Sequence, residues 1–184
     1  MRQGEGKLVV ISGPSGSGKT SVVRALRKHP RVVFSVSATT RPIRPDEADG
    51  VDYHFLDRAE FERRRQAGEF LESAEYNGNF YGTLRQPMLQ ALARGECFVL
   101  EIEVQGTRQL RASGVAGLYV FLVPPDLDVL RQRLARRGTN SPEEIEARLA
   151  IARAEMEARD LYDHVVVNDD LARAIADVER IIGL

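Results

Sequence analysis

The chain predicts an α/β fold built on a parallel sheet, and three observations carry that expectation. Short apolar runs rich in β-branched residues recur along the 184 residues. Segments with apolar side chains every three or four residues separate them, and the chain's longest apolar runs are too unbroken for half-exposed strands. Strands that alternate with helices in this way imply parallel pairing, because each parallel strand must be reached by a crossover.

Taken in order, Val9, Val10 and Ile11 form the first strand, which ends abruptly in GPSGSGKT; Val22, Val23 and Leu26 then recur at helical spacing. Residues 98–102 and 118–123 read as strands buried on both faces, as do residues 164–167. The stretch after Thr83 places Met88, Leu89 and Leu92 on one face and stops at Gly95. The stretch after Asp126 gathers Leu127, Leu130 and Leu134 and stops at Gly138. Leu171, Ile175, Val178 and Ile182 predict a closing amphipathic helix packed on the sheet.

Two regions interrupt the alternation. Residues 35–81 are polar and glycine-rich and look inserted, with a helix started by Asp57 and Glu60 and ended at Gly68. Arg63, Arg64 and Arg65 read as a solvated face of that helix. The second interruption begins at Arg133 and contains RRGTNSPEE, where Ser141, Pro142 and Glu144 predict a capping box with proline in the first turn and a long arginine-bearing helix beyond. There is no internal repeat or low-complexity tract.

With 43% apolar residues the chain is long enough for one core and a small insertion or two. Lys plus Arg (26) and Asp plus Glu (27) nearly cancel, so no overall basic field argues for nucleic acid or an anionic membrane as the main partner. The expected partner is a small molecule. The lone cysteine, Cys97, excludes an intrachain disulfide, lies in the apolar run CFVLEI where a buried thiol is expected, and suits a reducing cytoplasm. No run reaches the roughly 18 to 20 apolar residues of a membrane span, and no targeting segment is recognisable.

The octet GPSGSGKT, comprising Gly13, Pro14, Ser15, Gly16, Ser17, Gly18, Lys19 and Thr20, fits the phosphate-loop pattern and lies between an expected strand and an expected helix. Its glycines let successive backbone N–H groups face inward, and the helix that follows adds its positive end. Lys19 reaches the β- and γ-phosphates, and the Thr20 hydroxyl is placed to ligate Mg²⁺. The fold expectation thereby sharpens to a parallel-sheet P-loop NTPase core that binds a nucleoside triphosphate with Mg²⁺. That core serves switches, motors and kinases alike. A 184-residue chain leaves no room for a motor's further domains, and VNDD at 167–170 lacks the lysine of the guanine-specificity tetrapeptide Asn-Lys-x-Asp. A small kinase fits better.

The pair of arginines in TTRPIR, then DGVDYHF, FLE, NFYGT, RRGT followed by EARL, and the terminal VVVNDDL resemble guanylate kinase along the whole chain. The resemblance implies transfer of the γ-phosphoryl group of Mg-ATP to GMP, giving ADP and GDP, in purine nucleotide metabolism and GMP recycling. It also implies three parts: a core of about 1–34, 84–124 and 160–184, a GMP-binding insertion of about 35–83, and a helical lid of about 125–159. Neither nucleic acid, membrane nor an obligate protein partner is expected.

The resemblance assigns Arg41, Arg44, Tyr53 and Tyr81 to the phosphate of GMP, a dianion that guanidinium forks and phenols match well. Ser37, Glu72, Thr83 and Glu101 fall to the guanine ring. A carboxylate at Glu72 accepts from N1–H and the N2 amino group together, whereas the unprotonated N1 of adenine would repel it. Arg133, Arg137 and Arg148 match donor-side and lid arginines, and Asn168 the residue near adenine. Lys19, Arg41, Arg137 and Arg148 are the expected catalytic groups. Where the family commonly has Asp-Ile-Asp, this chain reads Glu101-Ile102-Glu103, with Glu103 expected toward the metal's water shell.

The acceptor is already dianionic near pH 7 and needs no general base. None of His29, His54 and His164 holds a recognisable base position. The competing readings are a scaffold domain of the same fold, which would be free to lose Lys19 or the loop glycines, and a kinase for another phosphorylated acceptor, which Glu72 and NFYGT disfavour.

Overall fold

The computed structural model describes residues 6–76, 78–136 and 141–184. Five strands make the main sheet: β1 (Lys7–Ser12), β2 (Val32–Phe34), β7 (Cys97–Glu101), β8 (Leu118–Val123) and β9 (His164–Val167). They lie in the order β2-β7-β1-β8-β9, all parallel. Four more strands form a second sheet: β3 (Ala38–Thr39), β4 (His54–Phe55), β5 (Phe70–Tyr76) and β6 (Asn79–Leu84), in the order β4-β3-β6-β5. Here β5 and β3 both run antiparallel to β6. The helices are α1 (Lys19–Leu26), α2 (Arg58–Gln66), α3 (Arg85–Ala93), α4 (Val104–Ala112), α5 (Leu127–Arg136), α6 (Pro142–Met156) and α7 (Leu171–Ile182). None is long and apolar enough to cross a membrane.

Alternation along β1 divides the core into two layers, because successive side chains leave a strand on opposite faces. Val9 and Ile11 pack with Val22, Val23 and Leu26 of α1 and with Ala174, Val178 and Ile182 of α7. Leu8 and Val10 face the other way, into Leu100, Leu110, Tyr119, Phe121 and Tyr162. Cys97 is buried and unpaired, its thiol pushed up to about 11 chiefly by burial. The closing helix α7 is capped by Asp170, whose carboxylate accepts from the Arg173 amide, and stops at Gly183 in the left-handed region.

Three sequence expectations change. Residues 164–167 are not buried on both faces: β9 is the sheet's last strand, so Val166 packs inward while Val165 and Val167 are 43% and 47% exposed. Leu89 does not share the buried face of Met88, being 46% exposed. The helix begins at Arg85 and Ala91 takes the inward position three residues after Met88. Asp57 caps α2 through the Glu60 amide at 2.7 Å, but the Glu60 carboxylate turns away to Arg63 and Arg64. The arginine run is the solvated face the sequence predicts, and it also carries ion pairs, Arg65 with Glu62 among them. Phe61 of α2 stacks between Phe70 and Phe80, giving the second sheet its own small core.

The capping box at Ser141 forms as the sequence predicts, with Pro142 in the first turn of α6. α5 and α6 pack through Leu130, Leu134, Ile145 and Leu149. The expected helix stop at Gly138 and the expected site residue Arg137 lie outside the described residues.

Candidate active site

Strand β1 ends at Ser12 and α1 begins at Lys19, so the octet becomes the turn between a buried strand and a helix N-terminus. Gly16 and Gly18 have φ of +89° and +99°, a backbone region that L side chains rarely adopt. At Gly18 even a methyl group would run into the side-chain amide of Asn168. Below the loop, the Tyr162 hydroxyl donates to Ser12 Oγ at 3.0 Å, and Tyr162 stacks on Phe121 of β8. These contacts fix the strand end from which the loop departs.

Lys19 is buried and curls back over the loop, donating from Nζ to the carbonyls of Gly13 at 2.5 Å and Pro14 at 3.2 Å. Asn168, at the end of β9, donates to the Ser17 carbonyl at 2.7 Å. Arg133 of α5 donates from Nη2 to the Asn168 carbonyl, also at 2.7 Å. Two buried side-chain atoms beside this relay, Ser17 Oγ and Arg133 Nη1, have no hydrogen-bond partner among the described residues. Buried donors are normally satisfied, so such a pair beside a glycine loop is what an anionic ligand would complete. Arg148 of α6 reaches the same loop, donating to Ser15 Oγ at 3.3 Å.

The acidic pair lies at the other side of Lys19. Thr20 Oγ1 donates to Glu101 Oε1 at 2.9 Å, and the Glu103 carboxylate stands 3.7 Å from Lys19 Nζ. Burial pushes the Glu101 carboxyl up, while the Thr20 hydrogen bond and Lys19 draw it down. Glu155, from the end of α6, is pushed up to about 7 by burial and by the charge of Glu103. A hydroxyl and carboxylates at a phosphate loop are hard oxygen donors of the kind that suit Mg²⁺.

The second sheet carries the other expected residues. Arg41 follows β3; its guanidinium pairs with Glu47 at 2.7 Å and lies 5.6 Å from the centre of the Tyr53 ring. Tyr53 meets Tyr81 of β6 edge to face at 6.1 Å. The Tyr53 hydroxyl is pushed up, first by burial, with the charge of Glu101 among the further causes. Arg44 is exposed nearby, its backbone amide bound to Glu47 at 3.0 Å. Ser37 directly precedes β3, its carbonyl accepting from the His54 amide.

Glu72 of β5 is the partly buried carboxylate of this half. The Thr83 hydroxyl, from the neighbouring strand β6, donates to its Oε1 at 2.7 Å. Burial pushes the Glu72 carboxyl up and Thr83 holds it down. Its Oε2 lies against Gly106 of α4, where an added Cβ would approach to 3.1 Å.

The structure therefore gathers the expected residues into two linked groups. Lys19, Thr20, Glu101, Glu103, Arg133, Arg148 and Asn168 surround the loop; Arg41, Tyr53 and Tyr81 cluster on the insertion, with Glu72 and Thr83 as its second pair. Glu101 acts electrostatically on both sides. Sequence reading missed Glu47, Tyr162, Glu155 and Gly106. For Glu47 a signal existed, since RPDE is a turn sequence that returns a carboxylate to the arginine before it. Tyr162 and Gly106 come from distant segments and carried none.

Comparison with known proteins agrees with this geometry. The family model described as guanylate kinase matches residues 5–183. The chain is 52% identical over 177 residues to a guanylate kinase of Gloeobacter violaceus, covering 96% of this chain and 86% of that protein. It is 54% identical over 170 residues to a guanylate kinase of Frankia casuarinae, covering 92% of each. The solved structure of guanylate kinase from Anaplasma phagocytophilum superposes with a TM-score of 0.77 at 32% identity, over 98% of this chain and 86% of that one. Loop, arginine–tyrosine cluster, fold and relatives thus agree, and the chain belongs to the guanylate kinase family.

Proposed function

We propose that this chain transfers the γ-phosphoryl group of Mg-ATP to GMP, with ATP on the phosphate loop and GMP on the four-stranded insertion. The observation that carries the reading is the pairing of two sites of opposite task. One is a glycine loop with buried donors left unsatisfied among the described residues; the other is an arginine–tyrosine cluster on the same small sheet as a partly buried carboxylate at Glu72.

On this reading the core (about 1–34, 84–124 and 160–184) holds the triphosphate, the insertion (about 35–83) holds the acceptor, and α5 and α6 form the lid (about 125–159). Lys19 exchanges its bonds to the loop carbonyls for the β- and γ-phosphates. Thr20 would hold Mg²⁺, with Glu103 toward the metal's water shell. A bound Mg²⁺ neutralises charge on the phosphates and so eases their approach by an anionic acceptor. Arg133, Arg137 and Arg148 supply positive charge to the equatorial oxygens of the group in flight.

Arg41, Arg44, Tyr53 and Tyr81 hold the GMP phosphate in line, while Ser37, Glu72, Thr83 and Glu101 read the base. No side chain removes a proton, because the attacking phosphate is already ionised. Catalysis is positioning and electrostatics, and lid closure keeps water from intercepting the phosphoryl group. We place the reaction in the cytoplasm, where the unpaired Cys97 thiol stays reduced.

A bisubstrate compound, adenosine and guanosine joined 5′ to 5′ through a phosphate chain, tests the arrangement. It is expected to compete with ATP and with GMP in calorimetric displacement. Competition with only one of them would overturn the two-site reading.

A further inference from the structure

Arg41 does not stand free in the cluster assigned to the acceptor phosphate. Its Nη2 donates to Glu47 Oε1 at 2.7 Å, and the other carboxylate oxygen, Oε2, accepts from the backbone amide of Arg44 at 3.0 Å. The Glu47 amide in turn donates to the Arg44 carbonyl at 3.1 Å, closing a turn over Pro45 and Asp46. One carboxylate therefore touches both arginine positions of TTRPIR, through a side chain in one case and the main chain in the other. The pair is well shielded, with side-chain exposures of 15% for Arg41 and 13% for Glu47. Shielding of this kind makes an ion pair more persistent than one at the open surface.

We propose that Glu47 is a positioning residue for the acceptor phosphate, holding Arg41 by one edge of its guanidinium and fixing the backbone of Arg44 so that the two arginines present a set cleft. The inference rests on the reading of the insertion as the GMP site. The remaining contacts of Arg41 say which bond a phosphate exchanges. Nη1 donates at 2.7 Å to the carbonyl of Pro42, a neutral acceptor in an exposed position. A phosphate oxygen replaces that neutral bond with a charge-assisted one, while Nη2 stays on Glu47.

A carboxylate that merely occupied an empty anion site would keep a free oxygen and no anchor. Glu47 has both oxygens engaged and its own amide tied into the turn, so it remains in place when the phosphate arrives. The rings of Tyr53 and Phe55, whose centres lie 5.6 and 5.7 Å from the Arg41 guanidinium, border the same group.

The test is Glu47→Gln, which preserves size and loses the charge, with calorimetric binding of GMP and of guanosine, steady-state kinetics and a thermal melt. GMP binding is expected to weaken by about 10- to 100-fold, the scale of one charge-assisted hydrogen bond. Guanosine, which has no phosphate, is expected to bind both proteins equally, and the KM for ATP to stay unchanged. GMP affinity that is unchanged or tighter would overturn the proposal, the latter making Glu47 a competitor of the phosphate. Equal losses for GMP and guanosine would also overturn it, by showing a general structural role. Failure of the unsubstituted protein to bind either compound would overturn the acceptor site itself, and is thereby distinguishable.

Discussion

Thr20 Oγ1 donates to Glu101 Oε1 across 2.9 Å, joining the first turn of α1 to the end of β7. The hydroxyl expected to meet Mg²⁺ and the carboxylate expected to read guanine are therefore direct neighbours. Glu101 makes this contact from β7, the strand adjacent to β1. Thr20→Val removes the hydroxyl while keeping the shape. The Mg²⁺ concentration needed for half-maximal turnover is expected to rise by about 10- to 100-fold, as for loss of a supporting ligand contact. A Mg²⁺ titration of the rate checks this.

Glu72→Ala is expected to raise the KM for GMP by at least about a hundredfold, given two charge-assisted hydrogen bonds to guanine at about 1.5–3 kcal/mol each. ATP binding should hold. The unsubstituted enzyme is expected to show a related pH dependence. Burial raises the Glu72 carboxyl, and only the ionised form accepts both guanine donors, so GMP binding is expected to weaken as pH falls through that raised value. The loss begins at higher pH than an ordinary carboxylate would give. Kinetics of the two proteins from neutral to acid pH separate this effect, because the alanine variant loses it.

Lys19→Ala is expected to lower kcat by about 10²- to 10³-fold, the scale for one preorganised charge at a transition state. Its present partners are two loop carbonyls and, at 3.7 Å, Glu103. A circular-dichroism melt alongside the rate measurement checks that the fold survives.

Glu155 gives a stability prediction with a definite sign. Its folded-state value is pushed up to about 7, so the unfolded chain releases this proton at lower pH than the folded chain does. The folded state is penalised as pH climbs out of the ordinary carboxylate range, and fully so above about 7. Glu155→Gln removes the penalty. Its melting temperature is expected to exceed that of the parent at pH 8 and to match it at pH 4; an equal difference at both values would contradict the assignment.

Four of the five main-sheet strands were legible from sequence, two of them because parallel strands buried on two faces leave unbroken apolar runs, as in residues 97–100 and 118–123; β2, only three residues long, was not. The phosphate loop was legible because one octet carries the whole motif. The insertion was legible as an interruption but its strands were not: β3 and β4 have two residues each, too few for any periodicity, and β5 mixes Glu72, Ser73 and Glu75 with its apolar positions. Helix α4 escaped notice as well, since its buried positions include Gly106 and Thr107 in place of large apolar groups. Site residues on one motif were found together, whereas Glu155, at the end of α6, and Tyr162, just before β9, come from distant segments and meet Lys19 and Ser12 only in the folded chain.

The site is expected to bring two anionic nucleotides end to end and to accept only guanine on the acceptor side. Purified protein should be given Mg-ATP with GMP, AMP, UMP or CMP separately, and the nucleoside diphosphates formed should be resolved by chromatography. GDP with an equal amount of ADP in the GMP reaction, and no more than background in the other three, is the expected result. Equal conversion of AMP, or no GDP from a protein that demonstrably binds GMP, would contradict it.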